Sequence, residues 1–104
     1  MQIAMYSGSE SAKADMNERI QVVRDEDDEG EAMRIAIELG ISVFIDYQSG
    51  HTGAFFINHD GQRGPMKKES FGHHGSSTKA TLEAICNAAS LLINGAGTEA
   101  YPWR

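Results

Sequence analysis

Cysteine, basic residues and long apolar runs are all scarce in this chain, and each scarcity narrows what it can be. A single cysteine, Cys86, excludes an internal disulfide. No electropositive side chain sits at helical spacing to lower its pKa, so it reads as a small buried apolar residue rather than a nucleophile. No stretch approaches the roughly eighteen consecutive apolar residues of a membrane span. Met1 to Ser11 lacks the basic start and apolar run of a secretory signal. A soluble, cytoplasmic protein without a membrane partner is the expectation. Lysine and arginine number 9 against 15 acids, a net charge of −6. From Met1 to Gly50 four bases meet eleven acids, and from His51 onward five bases meet four, so the halves carry −7 and +1. An acidic half disfavours general nucleic-acid binding and attracts a basic partner surface.

What the chain does have fits one ordinary globular domain. Its 104 residues are too few for two domains, and 40% hydrophobic with 23% charged residues is a folding composition. The longest patterned segment closes the chain: Leu82, Ile85, Cys86, Ala89 and Leu92 recur at helical spacing, widened by Ala88, Leu91 and Ile93. Ser76, Ser77 and Thr78 offer hydroxyls to cap its first turn, and Asn94-Gly95 suits its end.

Ahead of it, Ile3 and Met5 mark a short strand, and Glu18 to Arg24, rich in β-branched residues with Ile20 and Val22 on one face, reads as a second. The acidic run Asp25, Glu26, Asp27, Asp28, Glu29 and Glu31 precedes the helical spacing Ala32, Ile35, Ala36, Leu39. It therefore reads as a helix start capped by Asp27 or Asp28, with Gly40 as the stop. Its sharper reading is a patch for a basic partner; it lacks the arrangement of an EF-hand. Ile41 to Tyr47 is the strongest strand, with Ile41, Val43, Ile45 and Tyr47 on the helix-packing face and Phe44 and Phe56 pointing away. Gln48 to Gly53 is a loop, Ala54 to His59 the return strand, and Asp60-Gly61 a tight hairpin turn. Pro65 places the third strand, within Gln62 to Phe71, at a sheet edge, near its start or at a bulge. The fold class is α+β: an antiparallel sheet of three to five strands with two helices packed on one face. Residues 1–24 hold the N-terminal strands, 27–93 the helix, meander and helix, and 96–104 a tail whose Tyr101 and Trp103 pack back onto the domain or onto a neighbouring subunit.

No catalytic set emerges. This topology brings His51, His73 and His74 to one end of the sheet and leaves His59 at the other, but their spacing matches no zinc signature and no carboxylate neighbour is evident, so neither metal nor cofactor is expected. Gly75 to Thr78 with Lys79 suits an anion at a helix N-terminus, although the order of residues is not that of a Walker loop and simple capping explains the serines as well. Ser76 and Ser77 stand in no nucleophile elbow.

From Glu29 to Ile93 the expected order helix, strand, strand, strand, helix resembles the double-stranded-RNA-binding domain. His51-x-x-x-Phe55 is similar to that family's hairpin-loop histidine and strand aromatic. Gly72-x-x-Gly75-Ser76 before an alanine-rich helix is similar to its second-helix start. The resemblance implies RNA contacts by His51, Lys79 and Lys68. It departs from the family where paired lysines are replaced by Ser77 and Thr78, and where the first helix is acidic. Two functions therefore stand as expectations. The first is a small non-enzymatic binding protein, an adaptor or inhibitor, whose acidic residues meet a basic, nucleic-acid-handling protein, with self-association as a homodimer. The second is a duplex-RNA binder using His51, Lys68, His73, His74, Ser76 and Lys79.

Overall fold

A computed structural model describes residues 9–57 and 61–94. The chain opens with α1 (Glu10–Glu26), whose buried side chains Met16, Ile20 and Val23 follow helical spacing. Ser9 caps it, its hydroxyl accepting from the Ala12 amide at 3.1 Å. The strand expected over Glu18 to Arg24 is thus a helix. The β-branched preference of those residues is a weak local term, and burying the stripe against α4 and α2 outweighs it. Val22, expected to share a strand face with Ile20, is 39% exposed instead. The strand expected around Ile3 lies outside the described residues, as does the tail 96–104.

A two-residue link joins α1 to α2 (Glu29–Leu39). Asp27 adopts left-handed φ 54°, which Asp tolerates better than most residues, and its amide donates to the Val23 carbonyl at 2.9 Å. Asp28 then caps α2, accepting from the Glu31 amide at 3.0 Å, and Gly40, at φ 69°, ends it. Three antiparallel strands follow, β1 (Ile41–Asp46), β2 (His51–Phe56) and β3 (Lys67–Ser70), in the order β1-β2-β3. The first turn is held by Asp46, whose carboxylate accepts from the Gln48 amide at 3.1 Å and the Ser49 amide at 3.2 Å. β2 consequently starts earlier than expected: His51 lies in the ladder, opposite Asp46 and Ser70, rather than in the loop.

Between β2 and β3 the isolated bridge Ile57 to Arg63 makes the connection longer than a two-residue turn; His59 and Asp60 lie outside the described residues. From the pair Ala54 and Lys67 to that bridge, two residues of one strand oppose three of the other. This bulge contains Pro65, which is where its missing amide is tolerated. Phe71 leaves the sheet and opens the single helical turn α3 (Phe71–His74), where a continuing strand and then a loop were expected. Ser76 caps α4 (Ser77–Asn94), accepting from the Lys79 amide at 3.0 Å.

The molecule is α+β. Helices α2 and α4 cover one face of the sheet, and α1 packs on those two helices rather than on the strands. Thr52, Ala54 and Phe56 alternate along β2 and are buried under the helices. Phe56 therefore faces the core, contrary to its expected placement on the far face. Phe44 does point away, with its ring over Gly53. The whole expected stripe of α4 is buried. No helix among the described residues is long and apolar enough to cross a membrane.

Candidate functional site

One end of the domain gathers most of the polar chemistry. The C-terminus of α1, the N-termini of α2 and α4, the β1-β2 turn and α3 all meet there, because α1 runs antiparallel to α4 while the strands alternate. Two cations and a histidine line this end, and each faces a carboxylate. Lys79 Nζ lies 3.4 Å from Asp27 Oδ2. Arg24 lies 3.2 Å from Glu83 and donates to Asn87 Oδ1 at 2.7 Å. His74 Nε2 lies 2.6 Å from Glu69 Oε1, whose second oxygen accepts from Asn87 Nδ2 at 2.8 Å. Together Arg24, Asp27, His74, Lys79 and Glu83 line a pocket of about 150 Å³. The carboxylate neighbour that the sequence did not reveal for a histidine is thus Glu69, brought to His74 by the turn from β3 into α3. His73 and His74 have ring centroids 4.9 Å apart on α3. Among the described residues, no three His, Cys, Asp or Glu side chains form a metal-binding group.

The RNA candidates are divided between the start of α4 with α3 and the open face of the sheet. Ser76, Lys79 and His74 stand at the start of α4 and beside it. Lys68 pairs with Gly53 and His51 with Ser70, so alternation along β2 puts both on the open face with Phe44, away from the helices. Ser76's hydroxyl is occupied by the Lys79 amide.

The acidic run is also divided. Asp27 pairs with Lys79, Asp28 caps α2, and Asp25 accepts from Gln21 Nε2 at 2.9 Å. Glu31 is turned inward, its side chain 14% exposed between Arg19 and Arg34. Those guanidinium groups, Arg19 first, hold its carboxyl below the ordinary 4.5. Arg19 also forks onto Glu38 at 2.9 and 3.0 Å, fastening α1 to α2. Glu26 and Glu29 are exposed and, among the described residues, carry no ion pair. The run is therefore part scaffold and part free charge. Arg19 and Arg24 went unnoticed in the sequence because their partners lie on other helices, up to 63 positions away.

Burial pushes the Cys86 thiol up to about 11, in keeping with a packed side chain next to the Ile20 carbonyl. No family model, curated protein or solved structure matches the chain.

Proposed function

We propose that this is a small non-enzymatic binding protein of the adaptor or inhibitor type, whose α1-α2 corner engages a basic surface on a protein partner. The observation that carries the reading is the pairing at the opening of α4. Lys79 and Arg24 are closed by Asp27 and Glu83, and His74 is hydrogen-bonded to Glu69, so a polyanion meets no uninterrupted positive track. Asp25, Glu26 and Glu29 project from the same end and add negative charge that steers a cationic partner. Such a partner would include proteins that handle nucleic acid, whose basic surfaces this corner would cover. A second copy of the chain is a further partner, through a different surface.

The second reading, a binder of duplex RNA, draws on the resemblance of the α2-β1-β2-β3-α4 segment to the double-stranded-RNA-binding domain. The separation of His51 and Lys68 from Lys79 weighs against it, because backbone contacts across neighbouring grooves need these groups on one surface.

The test is affinity capture from a native extract with wild type and with a variant carrying Asp25→Asn, Glu26→Gln and Glu29→Gln. The reading expects basic proteins retained by the wild type at low salt and lost by the variant. Equal recovery by both would overturn it.

A further inference from the structure

The two edges of the sheet are built differently. β3 carries Lys67, Lys68 and Glu69, is only four residues long, and is preceded by the bulge at Pro65. These are the devices by which natural sheets keep an edge from pairing with another chain. β1 has none of them: from Ile41 to Ile45 it contains no charge, no proline and no bulge, and its pairing with β2 is continuous over six residues.

Among the described residues, no strand pairs with the outer edge of β1. The Phe44 carbonyl faces β2, where it accepts from the Thr52 hydroxyl at 2.9 Å. In an antiparallel strand the N–H and C=O of one residue point to the same side and alternate along the chain, so Val43 and Ile45 direct theirs to the open edge. Beside that edge lies apolar surface. Val43 is 37% exposed, Ile45 46% and Tyr47 73%, and α2 adds Met33 at 58% and Ile37 at 72%. Met33 and Ile37 lie one turn apart on the side of α2 opposite Glu31 and Glu38, which face α1. A groove of about 210 Å³ runs between Met33, Ile45, Tyr47 and Leu82.

We infer that β1 pairs antiparallel with β1 of a second copy, joining two three-stranded sheets into one of six strands. Charge selects this occupant. A basic partner is drawn to the carboxylates of the α1-α2 corner, whereas the β1 edge needs a counter-surface as free of charge as itself. A two-fold axis through Val43 provides one: Ile41 opposes the partner's Ile45, and Met33 meets the partner's Ile37. The same axis sets Asp46 opposite the partner's Gly40. The two Asp46 carboxylates are then six residues apart along the strands, roughly 20 Å at ~3.4 Å per residue, beyond the ~8 Å screening length at physiological salt. The one acid of β1 therefore meets no like charge across the paired strands. The contact rests on one short strand edge and two helical side chains, so the dimer is a reversible one that forms at micromolar protein.

Sedimentation equilibrium on the untagged full chain, from about 1 to 300 µM, tests the inference together with amide exchange. The expected result is a monomer-dimer equilibrium with Val43 and Ile45 amides protected increasingly as concentration rises. Val43→Lys abolishes it, and Ile37→Lys, on an exposed helical position that leaves the fold intact by circular dichroism, weakens it at least tenfold. Three results would overturn the proposal. One is a monomer throughout the range, and another a dimer indifferent to both variants. The third is protection of the two amides that does not change with concentration, which would mean that the chain's own residues 1–8 or 95–104 cover the edge.

Discussion

A Cβ built on Gly53 would sit 2.5 Å from Phe44 Cε2 and 2.9 Å from Met66 Sδ. This glycine is needed for the space above it and not for an unusual backbone angle. Gly53→Ala is expected to lower stability by about 1–3 kcal/mol, the usual penalty of overpacking, read as a drop in the urea midpoint at unchanged m-value. Neighbouring Thr52 is fully buried yet polar. Its hydroxyl serves the Phe44 carbonyl and lies 3.1 Å from Thr81 Oγ1 of α4, linking sheet to helix. Cys86 gives a further check at this scale. Its thiol, ordinarily near 9.0, is raised to about 11 in the fold, so the unfolded chain ionises first as pH rises. The stability this group contributes is complete below pH 9.0 and is lost as pH climbs through about 11. Cys86→Ala is expected to flatten the alkaline fall in melting temperature over that window, and an unchanged fall would show that another group sets it.

Among the elements, α1 and the single turn α3 are the ones the residues did not disclose. Met16, Ile20 and Val23 carry a helical period, but Ile20, Val22 and Val23 also suit a strand, and in a short segment local preference cannot decide between them. Burial against α2 and α4 decides it. By contrast α2, the three strands and α4 were legible, because Gly40, the alternation in β1, Pro65 and the long α4 stripe each mark a boundary or a face. The assignment of Phe56 failed for a different reason: which strand face meets the helices depends on register, and the earlier start of β2 was hidden by the small residues of its turn. Attachment of α1 rests partly on Arg19, Glu31 and Glu38. Glu31's carboxyl is held below 4.5 in the folded chain, so its contribution is complete above that value and disappears as pH falls through its lowered one. Arg19→Gln is expected to cost roughly 1–2 kcal/mol near neutral pH and to make the acid-side loss of melting temperature shallower than in wild type. Parallel pH curves for the two proteins would exclude the pairing as its source.

Across the whole molecule, charge segregation along the sequence does not translate directly into charged faces. The −7 of the first fifty residues was readable at once, yet which of those carboxylates stay available was not. Asp27, Asp28 and Glu31 are engaged by Lys79, a helix amide and Arg19, leaving Asp25, Glu26 and Glu29 as the outward set. The candidate RNA residues were similarly visible as types but not as a surface, since strand alternation separates His51 and Lys68 from Lys79. Asp27→Asn keeps a residue that tolerates the left-handed cap and releases Lys79, so it is expected to leave stability within about 1 kcal/mol while raising affinity for polyanions. A fall in polyanion binding on that substitution would show that Lys79 is not restrained by Asp27.

The pairing of cations at the start of α4 is tested most directly by fluorescence anisotropy of a labelled short RNA duplex titrated with the untagged chain at low salt. No binding is predicted up to micromolar protein. Saturable binding that weakens steeply with added salt and is lost in Lys79→Gln would contradict the account and put the RNA reading in its place.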